Sequence, residues 1–158
     1  MAVQTSISAA PADGLVGQMA SSEGASFSSR QAEETIAPGL VVTPGDTNPA
    51  TTCALPDSAA DLDGTDHMAI GVAVLDPYRL SADYVDGDAV RICVKGDVWV
   101  NVATNAAKAG GPVYVTATTG AVDGTTGTQL HNAVFLDAGT GLVRVRLNGP
   151  FTAAFASA

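Results

Sequence analysis

Large side chains are scarce in this chain: one Trp, three Tyr and four Phe are spread over 158 residues. A core built without such anchors must come from many small side chains, and burial between copies is one way to make up the deficit. Positive charge is also scarce. Seven Lys and Arg face sixteen Asp and Glu, for a formal net charge of −9. That balance excludes nucleic acid as an expected partner, because phosphate binding draws on clustered cations, and an anionic membrane surface for the same reason. No apolar run approaches the roughly 20 residues of a spanning helix; the best candidate, Met68 to Leu75, is far shorter. Only two histidines occur, His67 and His131, far apart in sequence. The nucleophile-elbow, phosphate-loop, zinc-protease and dinucleotide motifs are all missing. No enzyme activity, metal or cofactor is therefore expected. Cys53 and Cys93 have neither metal nor CxxC spacing, and are expected to be buried thiols of a reducing compartment. The opening MAVQTSISAAPADG has neither a basic nor an apolar leader region, so no secretory signal is expected.

What the chain does have is 46% apolar residues, mostly small, and a mean hydropathy of +0.23, high for so acidic a protein. Its charge is uneven. Up to His67 nine acids are opposed only by Arg30, whereas from Met68 onward seven acids face six bases. Residues 1–28 are rich in Ser, Ala and Gly and read as an extended N-terminal arm, since such composition does not offset its own ordering entropy. Residues 29–158 read as the body. Within it, 43–66 reads as a long loop full of Pro and Asp turn formers.

The rest of the body alternates with period two. In AVRICV, Val90, Ile92 and Val94 share one face; in VWVNV, Val98, Val100 and Val102 do, with Trp99 and Asn101 opposite. Lys95-Gly96-Asp97 between them reads as a hairpin turn. Val113 and Val115 predict another strand, followed by a turn at Thr118-Thr119-Gly120, and LVRVRL places Val143, Val145 and Leu147 opposite Arg144 and Arg146. Ile36 to Val42 and Met68 to Leu75 supply two more strands, while Ala103 to Ala109 reads as a helical turn or loop. Short strands between turn signals predict an all-β fold, a small barrel or sandwich.

Two acid clusters surround glycines: Asp61, Asp63 and Asp66 near Gly64, and Asp83, Asp86 and Asp88 near Gly87. The first fails the EF-hand register, and Asp-Gly is ordinary turn vocabulary; both are expected to be turns. Trp99 is expected on the non-valine face, either as a partner-contacting aromatic or on the second covered face of a two-sided strand. Arg91, Arg144 and Arg146 on such faces are expected to keep the sheet soluble or to meet acids of a neighbouring subunit.

The order of segments resembles the head decoration, or cement, proteins of tailed bacteriophages. AAPADGLVGQMA is similar to that family's Ala-Pro-x-x-Gly-x-x-Gly arm, and SRQAEETIAPGLVV to its Ser-Arg, acidic, Ile-x-x-Gly segment. IGVAVLDP, YVDGDAVRICVKGDVWV, GGPVYV and HNAVFLDAGTGLVRVRLN follow in the family's order, with the 43–66 loop and the residues after Asn148 departing from it. The resemblance implies a β-rich body with an arm. It also implies a symmetric oligomer, trimer favoured and dimer compatible, on the outer surface of the expanded head, made in the host cytoplasm. The partner is then the major capsid protein. The residues expected to contact capsid or subunit are Leu15, Val16, Met19, Phe27, Arg30, Ile36 and Trp99, with Leu40 expected in the body's own core. An alternative from another class is a carbohydrate-binding or adhesive β domain, with Trp99 and Tyr114 as stacking platforms.

Overall fold

The computed structural model of the chain describes residues 14–79 and 81–151. Its elements are, in order, β1 (Met19–Ala32), β2 (Val41–Pro44), β3 (Thr52–Ala54), α1 (Ala60–Asp63), β4 (Gly71–Ala73), β5 (Ala89–Ala107), β6 (Pro112–Val115), β7 (Val122–Asp123), β8 (Thr128–Phe135) and β9 (Gly139–Asn148). Apart from the single turn of α1, the described residues are all-β, as the alternation predicts.

The nine strands form one sheet in the order β1-β3-β2-β4-β5-β9-β8-β6-β7, and β1 also pairs with β5. The pairings among β1, β3, β2, β4 and β5 therefore close on themselves, and the sheet runs on from β5 through β9. The circuit encloses one face of its strands and the rest of the sheet covers the other, so alternate residues of one strand enter different cores. Val42, Ala73, Val90 and Ile92 join Ile36, Cys53 and Tyr84 in one buried cluster. Their strand neighbours Val41, Val72 and Cys93 join a second, larger cluster with Val98, Val100, Val113, Phe135, Val145 and Leu147. Strands buried on both faces favour unbroken runs of small β-branched residues. The largest fully buried side chain, Tyr84, donates its hydroxyl to the carbonyl of Val74 at 2.6 Å, which removes the cost of burying it.

Three local expectations are corrected. Lys95-Gly96-Asp97 is no hairpin turn: β5 passes straight through it, with Lys95 opposite Ser26 on one side and Asn148 on the other. The glycine suits the strand because its φ is +137°, a conformation that strains other residues, while the nearest atom to a Cβ there is the flexible tip of Met19, 2.9 Å away. Residues 103–107 continue β5 instead of forming a helical turn. The 43–66 stretch is folded: β3 inside it pairs in parallel with β1 and antiparallel with β2, and α1 follows. A three-residue strand leaves no period to read, which is why the sequence suggests only a loop.

β1 crosses residue 28, where the arm was expected to end. Phe27 pairs with Cys93 and Met19 with Val98, and both side chains pack against the larger core. A truncation at residue 28 removes most of this strand and leaves only residues 29–32 to close the circuit between β5 and β3.

Ile36 is fully buried in the circuit's core and bridges Tyr84 through its backbone. Ile36→Ala is expected to destabilise the protein by about 2–5 kcal/mol in urea unfolding. An unchanged midpoint would mean the side chain is not packed there.

Candidate functional site

The chain enters the described body as a short strap, residues 14–18, laid across β5. Gly17 N–H donates to the carbonyl of Trp99 at 2.7 Å, Trp99 N–H donates to the carbonyl of Gln18 at 2.9 Å, and Leu75 N–H donates to the carbonyl of Gly17 at 2.8 Å. Gly14 rests on the indole itself: a Cβ there would lie 2.3 Å from Trp99 Cδ1, so only glycine permits the approach. A turn closed by Gln18 N–H to Leu15 C=O (2.9 Å) turns Leu15 and Val16 outward, and they stay 64% and 38% exposed.

Trp99 does lie opposite the Val98/Val100/Val102 face, which is fully buried. It is half-buried, with Gly14 on the ring and the guanidinium of Arg144 5.7 Å from its centroid. Arg144 and Arg146 meet acids of their own chain. Arg144 donates twice to Asp137 (2.9 and 2.7 Å), and Arg146 donates twice to Asp97 (2.9 and 3.0 Å). Such forked pairs fix the two guanidiniums on the sheet face. Arg91 stacks 4.0 Å from the Phe27 ring. The guanidinium of Arg30 donates to the carbonyl of Pro49, and its side chain lines a groove of about 480 Å³ with His67, Met68 and Phe151.

The sequence-predicted contact residues thus separate. Leu15, Val16 and Trp99 come together at the strap. Met19, Phe27 and Ile36 spend their apolar surface inside the chain's own cores, because β1 is a strand of the body. Arg30 lies apart at the groove, and Leu40 is half-buried.

The acid clusters organise turns. Asp61 accepts the N–H groups of Asp57 and Ser58, Asp63 that of Thr65, and Asp88 that of Val85 together with the Arg79 guanidinium. Among the described residues no three His, Cys, Asp or Glu side chains converge as metal ligands would. Burial pushes both thiols, Cys53 and Cys93, up to about 11, so neither is an activated nucleophile. The two are free and lie in different cores. Among the described residues the arrangement offers surfaces and hydrogen-bonded turns.

The model of the family described as "Structural cement protein (E217 gp24/Pam3 gp6)" matches residues 3–148. The chain belongs to this phage structural cement protein family. No curated protein matches it. Among solved structures it is similar to the head fiber gp8.5 N base of bacteriophage phi29, at 13% identity and a TM-score of 0.41, over 78% of this chain and 94% of that one. Membership accounts for an order of segments that runs from the arm to Asn148.

Several carboxylates are held below their usual range: Asp137 by the Arg144 guanidinium, Asp88 by the Val85 N–H and Arg79, and Glu33 by Thr52 and the backbone of Thr47 and Asp46. At Asp123 burial works upward, but the N–H groups of Thr125 and Thr126 and the Asn105 amide outweigh it. A carboxylate with a lowered folded pKa contributes stability above its unfolded value, near 4, and loses it as pH falls through the folded value. The melting temperature is therefore expected to hold from pH 7 to about 5 and to drop below about pH 4. Asp137→Asn should lower it at pH 7 and converge on the parent near pH 3. Parallel pH curves for the two proteins would show that the Asp137–Arg144 pair contributes nothing to acid stability.

Proposed function

We propose that this cement protein binds the outer surface of the expanded phage head and braces contacts between major capsid subunits. Family membership over residues 3–148 is the observation that carries this reading. The physical support is a body with a hydrogen-bonded face and a strap that leaves Leu15 and Val16 outward. Such a molecule acts by adhesion. Segments ahead of the strap can add to an exposed sheet edge of a neighbouring subunit, where backbone hydrogen bonds supply affinity with little side-chain specificity. A symmetric oligomer, the trimer in this reading, multiplies the effect because each docked arm raises the effective concentration of the next. For the carbohydrate-binding alternative, Trp99 is already flanked by Gly14 and Arg144, and its second platform, Tyr114, is half-buried on β6.

Cosedimentation with expanded and unexpanded heads tests the reading, with selective binding to expanded heads expected. Deleting residues 2–13 should leave the melting temperature unchanged and weaken attachment by roughly tenfold or more, as each lost arm forfeits avidity. A truncated protein that decorates heads as tightly as the full chain would remove the arm from the mechanism.

A further inference from the structure

Five large apolar side chains are exposed among the described residues: Leu15, Val16, Tyr78, Val85 and Val134. Four of them belong to one end of the molecule, which sequence order does not reveal. The strap holding Leu15 and Val16 is tied at Gly17 to Leu75, one residue ahead of the turn Asp76-Pro77-Tyr78-Arg79. The carboxylate of Asp88 then receives both the Arg79 guanidinium and the Val85 N–H, which fixes Val85 beside that turn.

The turn itself is built to present a ring. Asp76 accepts the Tyr78 N–H at 3.0 Å, and Pro77 stiffens the turn. Arg79 lies over the Tyr84 ring at 4.7 Å and is held by Asp88 and the carbonyl of Asp83. Asp76 and Arg79 on either side of Tyr78 are therefore anchored, while Tyr78 itself is 94% exposed and its ring is left free of the fold. Tyrosine is a favoured anchor at protein contacts, giving a large contact area with few rotors to freeze. Acids outnumber cations at this end: Arg79 is neutralised by Asp88, Arg91 lies near Tyr84, and among the described residues no salt bridge joins Asp76, Asp83 or Asp86.

We infer that this end, with Tyr78 at its tip and Val85, Leu15 and Val16 beside it, is the surface that seats on the capsid subunit. Its receiving site is an apolar pocket with a Lys/Arg rim. The acids would meet the rim and steer docking, and the apolar side chains would fill the pocket. The inference rests on the capsid-binding reading and extends it, because it places the anchor on a folded end as well as on the arm.

The test is quantitative cosedimentation of the full-length protein with expanded heads. Tyr78→Ala should keep the parent's melting temperature and bind at least about tenfold more weakly. Tyr78→Phe should retain most of the affinity. Val134→Ser, which removes the fifth exposed apolar side chain, on β8, should bind like the parent. Reversing Asp83 and Asp86 to Lys should weaken binding further and flatten its salt dependence. Unchanged affinity of Tyr78→Ala beside a binding parent overturns this inference and leaves the capsid reading standing, as does an equal loss in Val134→Ser. Tighter binding of the charge-reversed protein overturns the basic rim. A parent that ignores heads overturns both, and Tyr78-dependent retention on a glycan array would then assign the tip to a sugar.

Discussion

Everything in the described structure hangs on β5. It is the strand on which the closed circuit and the extended sheet both depend. Ile92 and Cys93 lie between β4 and β1, whereas Lys95 to Val98 lie between β9 and β1. On one edge the partner therefore changes from β4 to β9 at Val94, whose carbonyl is taken by the Gly149 N–H just past the end of β9 (3.0 Å). That hydrogen bond keeps the ladder satisfied across the change, where an orphaned buried carbonyl would otherwise be costly. The same strand positions the strap, through both backbone groups of Trp99. One strand thus couples core, sheet face and exposed end, and damage to it is not local.

The composition follows from that arrangement. A strand buried on both faces has no solvent side on which to place a large or charged residue. Valine on valine at neighbouring positions, as in Val41–Val42 and Val72–Ala73–Val74, is the economical solution. The scarcity of aromatics reflects two thin cores instead of one thick one. Where a ring is admitted, as at Tyr84, its polar end is satisfied at once. The remaining acids serve turns and forked arginine pairs.

This logic also explains what the sequence could and could not reveal. The second half of β5, β6 and β9 have one covered face each, so their alternation is plain in VWVNV, PVYV and LVRVRL. Lys95-Gly96-Asp97 misleads because a glycine required by a positive φ inside a strand looks identical to a glycine required by a turn. Thr52–Ala54 is too short to carry a period, and its place between β1 and β2 is a purely tertiary fact. Met19 and Phe27 sit in a serine-rich stretch with the composition of an arm, yet β5 recruits that stretch as a strand. At the surface, Leu15, Val16 and Trp99 were recognisable by type. Tyr78 and Val85 were not, since DPYR and YVDGD read as ordinary turns. Only the Gly17–Leu75 and Asp88–Arg79 contacts bring them to the same end.

The energetics of adhesion favour such a folded end. Ordering an arm costs about 1–2 kcal/mol for every backbone residue fixed. An arm of a dozen residues therefore begins with a deficit on the order of 10–20 kcal/mol before its contacts count. Serine- and alanine-rich segments bury little apolar area to offset it, whatever hydrogen bonds they add. A tyrosine already held in a proline-stiffened turn has met most of its entropy cost during folding, so its burial contributes to binding nearly in full. If the end seats first, as proposed, any contact made by the segment ahead of the strap becomes an intramolecular step. On the proposed reading, shell attachment would combine a preformed anchor with the segment ahead of the strap.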